Sequence, residues 1–377
     1  MDDQDIPEDE LEDIEVIYSD GEDADYDEQQ AENMIEDSNE VEIEAEVIDL
    51  SILTFSKHTK SVFCSDVNKS GQIAVTGGED DIAYVWDTNS GDVLFECTGH
   101  KDSVTEACFN YDGQFVATGD MAGMIQVWSV EEKKLVWCFE GDDMEWLFWH
   151  PKANVLLCGC HSGDVYVWQM PQGHCKVLPS PDNAAATCAK LLPNGKQLLA
   201  GYEDGNLQLW NIKEVTSEWS NSQFHTVTNV DVNEEGLLAV VAPSSNIVKL
   251  ADGKVTTTLL PNEETEIEAA TFNRETGVVA TGSLSGQLCV WEVGKQALRH
   301  QARIECSVTV LKWGPATKIF IGATDGAVYV CDVKTGSLLE TLTGHKADVL
   351  SISLLDPDGK RILTTSDDAT VKIFNVN

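Results

Sequence analysis

Three groupings in this chain hold residue types able to do chemistry. The first is Cys158-Gly159-Cys160-His161, with two thiols and an imidazole within four positions. Zinc needs four such ligands in a tetrahedron, and no second ligand pair follows at zinc spacing. Cys158 and Cys160 also fall where an apolar run enters a turn, so no metal and no cofactor is expected. The second grouping is a recurring His, Ser or Thr, and Asp, of which His345, Ser366 and Asp368 are the fullest example. The third is a series of carboxylates in the turns between apolar runs. It includes Glu79, Asp81, Asp102, Asp120, Asp142, Asp143, Glu145, Asp164, Glu203, Glu263, Glu264 and Asp367. A glycine-rich phosphate loop followed by Lys is missing, as is a nucleophile elbow, so an enzyme is not expected.

What positions these residues is a repeat. Eight apolar runs end at Trp86, Trp128, Trp168, Trp210, Leu250, Trp291, Cys331 and Phe374, 40–43 residues apart. One unit reads as an outer strand at Val93–Cys97, a turn at Gly99-His100, an inner strand at Val104–Phe109 and a hairpin at Tyr111-Asp112-Gly113. Two more strands follow, the last ending at Trp128. This period, with Trp-Asp or a relative at its end, marks an all-β WD-repeat β-propeller. Eight blades are expected; seven remain possible if the weak repeat at Leu250 is an insertion. The last repeat stops at Asn377 without an outer strand, and residues 51–56 are expected to supply one. That pairing would close the ring and leave no open sheet edge at the seam.

Charge divides the chain in two. Residues 1–50 hold 23 Asp or Glu and no Lys or Arg, whereas residues 51–377 hold 42 acids and 24 bases. The first 50 residues are expected to be a disordered acidic tail, because like charges and sparse apolar groups cannot offset chain entropy. Two of its pieces, 11–18 and 41–48, alternate acidic and aliphatic residues; they are either a solvated spacer or a segment that orders on a basic partner. With a net charge of −41, nucleic acid is a poor partner, since that affinity comes largely from cations displacing counterions. An anionic membrane is a poor partner for the same reason, and no apolar stretch approaches the roughly 18 residues of a membrane span. A basic protein segment is the natural partner. The eleven cysteines are odd in number, mostly lie in apolar runs, and follow an acidic N-terminus unlike a signal peptide. They read as reduced thiols of a cytoplasmic protein. A monomer is expected; no basic cluster marks nuclear import.

Within a WD blade the turn His, a hydroxyl, an Asp and the Trp can bond as a buried set. The first blade keeps His58, Asp80 and Trp86, with Gly78 in the Ser place. The second keeps His100 and Trp128, with Ala122 where the Asp belongs; the fourth keeps Asp204 and Trp210; the last keeps His345, Ser366 and Asp368. These are expected to be structural. The turn acids, by contrast, share one face of the ring. Glu79, Asp81, Asp102, Asp120, Asp143, Glu145 and Glu203 are candidate partner-binding residues there. Trp146 joins them as an aromatic able to contact a cationic peptide. The alternative is that the acids only solubilise the ring and Trp146 packs between blades.

Several segments carry a more specific likeness. They are Val75–Asp81, Phe95–Val104, Ala117–Met121, Glu145-Trp146 with Trp149-His150-Pro151, and Gly201–Gly205. As an ordered set over about residues 56–212, they resemble the angio-associated migratory cell protein family of acidic-tailed WD-repeat proteins. The wider group includes a fungal relative that escorts a newly made basic protein of the large ribosomal subunit. The resemblance thus implies chaperoning in ribosome assembly, or alternatively a signalling scaffold in cell migration.

Overall fold

Strands alternate with short turns from Leu53 onward, and each group of four consecutive strands in space forms one antiparallel sheet. The computed structural model describes residues 48–180, 182–259, 267–273 and 276–377. The acidic tail up to residue 47, and with it both acid-aliphatic pieces except Ile48, lies outside the described residues.

Eight sheets of four strands make an eight-bladed propeller. The inner strand of blade 1 is Val62–Val67, followed by Ile73–Gly78, Ala83–Asp87 and Val93–Cys97. Blades 2 to 7 repeat this order, starting at Val104, Met144, Cys188, Asn229, Ile267 and Val308. Blade 8 joins the two regions of sequence expected to meet: Leu53–Phe55 pairs antiparallel with Val371–Asn375, placing Leu53 opposite Ile373. The clasp extends beyond the strand. Leu50 N–H donates to the Thr343 carbonyl at 2.9 Å, and the Lys372 ammonium reaches the Asp49 carboxylate at 2.5 Å.

Blade 5 is complete, from Asn229–Val232 to Lys254–Thr258, so the weak repeat is no insertion. Its landmark, however, is displaced. The residue two places into each second strand faces the signature Trp or its substitute: Ala74 faces Trp86, Leu156 faces Trp168, Val279 faces Trp291. In blade 5 the equivalent Ala239 faces Val248, two residues before Leu250. Leu250 is buried as well, which is why it imitated the endpoint.

Each sheet buries both faces, one against each neighbour. Met144, Leu147 and Trp149 pack with blade 2, whereas Leu157, Val165 and Val167 pack with blade 4 residues such as Leu198 and Trp210. Glycine near the end of the second strand allows this approach. A Cβ on Gly77 would meet Val104 Cγ1 at 2.5 Å, and one on Gly119 would meet Met144 Sδ at 2.3 Å. All eleven cysteines are free thiols. Among the described residues, no helix is long and apolar enough to cross a membrane.

Candidate functional site

Buried polar sets hold the turns of three blades. In blade 1, His58 Nδ1 donates to Asp80 at 3.0 Å and its Nε2 meets the Thr76 hydroxyl at 3.0 Å. His345 repeats this with Asp368 at 3.0 Å and Thr364 at 2.8 Å. His100 does so with Asp120 at 3.2 Å and Thr118 at 2.8 Å. The following backbone N–H, of Thr59, Lys101 or Lys346, donates to the same carboxylate.

Three sequence expectations change here. The hydroxyl partner is a strand Thr, two residues before the position assigned to Ser; Ser366 instead donates to the Ala347 carbonyl. Gly78 therefore replaces nothing. Blade 2 is not missing its carboxylate either. Asp120, expected on the partner face, is fully buried and fills the role looked for at Ala122, binding His100 and the amides of Lys101 and Met124. The Trp does not join the sets: Trp86 Nε1 has no partner, and Trp128 Nε1 donates to Gln126. In blade 4, Asp204 is exposed and caps a turn through the Asn206 amide, while Trp210 donates to the Tyr202 hydroxyl at 3.3 Å.

Burial would raise the Asp80, Asp120 and Asp368 carboxyls, but the hydrogen bonds, those from the His foremost, hold all three below the ordinary carboxylate range. Such a depressed group adds stability above its unfolded pKa and loses it as pH falls through the folded value. Asp120→Ala strands His100 and two amides without a partner, and is expected to cost about 2–4 kcal/mol. Thermal unfolding at pH 7 measures this. The gap between variant and parent should narrow as pH drops below about 4.

The remaining turn acids lie on one face. Loops joining outer to next inner strands, and second to third strands, emerge together there. Glu79 pairs with Lys60 at 3.4 Å, Asp81 is exposed, and Asp102 is exposed beside the Ser103 amide. Asp164 accepts the Ser180 amide, and Asp367 accepts the Ser61 hydroxyl. Glu263 and Glu264 fall outside the described residues. The densest group spans blades 3 and 4. Exposed His161 donates from Nδ1 to Glu145 at 3.0 Å. That bond and the Glu145 charge raise the His161 pKa, with Glu203 and Asp143 adding to the effect. Four groups from three stretches of sequence thus share one electrostatic neighbourhood. His161 turns to Glu145 and not to Cys158 and Cys160, whose sulfurs are buried 3.8 Å apart. No group of three or more metal-ligand side chains occurs among the described residues. Proton NMR of His161 should give a midpoint above 6.5 that falls when Glu145 is changed to Gln; an unmoved midpoint would remove this cluster.

Trp146 does not face a partner. It is buried, stacks on Phe148 at 5.1 Å, and lies where a Cβ on Gly159 would be, within the blade 3–blade 4 packing. Met144, Leu147 and Trp149 face blade 2, so Trp146, pointing away from them, faces blade 4, and the alternative of packing between blades holds. Sequence reasoning also passed over Glu106, at the same register on the inner strand of blade 2. Burial, with Asp66 beside it, pushes the Glu106 carboxyl up to about 8. Across the inner strands Lys190 pairs with Asp231 at 2.8 Å. An acid at an otherwise apolar inner-strand position was the available signal for Glu106. Further acids, Asp325 and Asp348, occupy loops of the same face in blades 7 and 8.

A closed ring with an acidic rim and structural His–Asp pairs is a WD-repeat β-propeller. The WD domain, G-beta repeat family matches residues 50–87, 91–129, 173–211 and 336–375. The chain is 37% identical over 351 residues to the human angio-associated migratory cell protein, covering 87% of this chain and 80% of that one. It belongs to the angio-associated migratory cell protein family. A more distant relative is the ribosome assembly protein Sqt1 of Saccharomyces cerevisiae, 24% identical over 92% of this chain and 91% of that one. The crystal structure of Chaetomium thermophilum Sqt1 bound to the N-terminus of the ribosomal protein L10 superposes with a TM-score of 0.80. It is 22% identical, covering 87% of this chain and 100% of that one, a likeness of fold. No enzyme family is indicated by these matches.

Proposed function

We propose that this propeller is a cytoplasmic, non-enzymatic escort that holds a basic segment of a newly made large-subunit ribosomal protein on its acidic face until assembly. The carrying observation is the carboxylate group of Asp143, Glu145 and Glu203 around His161, flanked by Glu79, Asp81 and Asp102. Opposed charge at a rigid rim speeds capture of a cationic chain and shields it from nucleic acid. The relative named for ribosome assembly, and the similar fold crystallised with a ribosomal-protein N-terminus, support this client class.

Capture of the tagged full chain from lysate, read by mass spectrometry at 50 and 500 mM salt, tests the reading. A large-subunit ribosomal protein should co-purify as a monomeric complex at low salt and be lost at high salt. The 37% identical relative named for migratory cells favours a second reading, a signalling scaffold. That reading expects salt-tolerant regulatory partners and unchanged free ribosomal-subunit levels on depletion, a result that would overturn the escort.

A further inference from the structure

On the face opposite the acidic rim, a cleft of about 400 Å³ opens between blades 3 and 4. Its apolar floor includes Val155, Val167 and Ile212, and its rim carries Lys176, Lys196 and Lys213. None of its twelve lining residues is a carboxylate, in a chain with 65 acids and 24 bases. All three lysines are exposed. Lys176 is tied by its ammonium to the Lys213 carbonyl at 2.6 Å, leaving Lys196 and Lys213 as the freer cations. The cleft runs beside His174–Leu178, the outermost strand of blade 3, which is hydrogen-bonded on one side only, to Val165–Gln169. His174, Cys175 and Lys176 all line it. Consecutive strand residues point to opposite faces, so three in a row place the cleft along the strand's edge and not over one face.

We propose that this cleft is a second docking site, for an extended partner segment that alternates acidic and aliphatic residues. The segment adds along the free edge of His174–Leu178, where main-chain groups supply hydrogen bonds. Its carboxylates meet Lys196 and Lys213, and an aliphatic side chain settles on the Val155, Val167 and Ile212 floor. Alternation is what a strand requires to serve a charged rim and an apolar floor at once. A lone phosphate would leave the floor uncovered, and a basic or purely apolar segment would leave the lysines unmatched. The site lies away from the acidic rim, so the two segments bind without competing.

The test uses the full chain and a fluorescein-labelled eight-residue peptide alternating Glu and Val, followed by polarisation. Binding should weaken at least 10-fold in each of Lys196→Glu and Lys213→Glu, while both variants keep the parent's melting temperature. Hydrogen exchange should show new protection confined to the amides of residues 174–178. An alternating Lys and Val peptide should leave the amides of residues 174–178 unprotected. Unchanged affinity in both variants, or protection elsewhere, would overturn the site. Displacement of the peptide by millimolar inorganic phosphate would also overturn it, making the cleft a simple anion pocket. A failed ribosomal-protein capture would leave this result untouched, because the peptide test does not involve the acidic rim.

Discussion

Reversing charge at Glu79, Asp143, Glu145 and Glu203 to Lys is expected to weaken capture of a basic ribosomal-protein segment by about 30-fold at physiological salt. Each reversal changes the rim by two charges, worth about 1 kcal/mol at 6–8 Å in water, and screening removes roughly half. Glu79, Asp143 and Glu203 are on turns, Glu145 is an exposed residue at the start of an inner strand, and none of the four has a buried partner, so the melting temperature should stay within a degree or two. Asp81 is best left alone, since its φ of 61° favours Asp over longer side chains. The measurement is titration of the N-terminal segment of an L10-type ribosomal protein into parent and variant at two ionic strengths. Equal affinity in both would exclude this face as the binding surface. A loss at low salt that vanishes at 500 mM would match the electrostatic account.

The second large effect concerns stability. Glu106→Gln is expected to stabilise the ring, increasingly so as pH rises from about 4.5 to 8. Burial, helped by Asp66, lifts the Glu106 carboxyl to about 8. In this window the unfolded chain has released the proton while the folded ring still holds it, so the folded state binds more protons and stability falls with pH. A shift of that size corresponds to at most about 4–5 kcal/mol. Part of the side chain remains accessible between the inner strands, and water there relieves some of the cost. The net gain expected at pH 8 is therefore about 1–3 kcal/mol, near zero at pH 4. Thermal melts of parent and variant across that range would show a widening gap; parallel curves would mean that Glu106 is ionised and solvated throughout.

Much of the architecture was legible because it is periodic. Trp86, Trp168 and Trp291 mark the same place in their sheets, and the outer strand of the last repeat was most simply supplied by residues 51–56, as the pairing of Leu53–Phe55 bears out. Blade 5 was harder: Val248 holds the signature place, but a β-branched residue there looks like any strand residue, and buried Leu250 drew the eye. The polar sets were located to within two residues. The His and Asp are conspicuous in turns, whereas Thr76, Thr118 and Thr364 are hidden inside strands where Thr is ordinary.

Misjudgements at the candidate site have a common origin. Asp120 lies next to a turn in the sequence, yet the strand Phe115–Asp120 includes it and brings it under His100. For Trp146 the alternative of packing between blades is the one that holds, because contact with a peptide would need a sheet with a wet face. A propeller blade has none, so a large residue off one interface enters the other. Placing Asp143, Glu145 and Glu203 on one face required only the strand order; their meeting at His161 required coordinates.

The pairing of Leu53–Phe55 with Val371–Asn375 also sets an order of events during synthesis. The first strand leaves the ribosome more than 300 residues before its neighbour, a wait of about 15–60 s at ordinary elongation rates. Through that interval the newborn chain can stack blade upon blade but cannot shut, and its two terminal sheets present raw edges. The molecule becomes fully sealed only once translation has delivered Val371–Asn375.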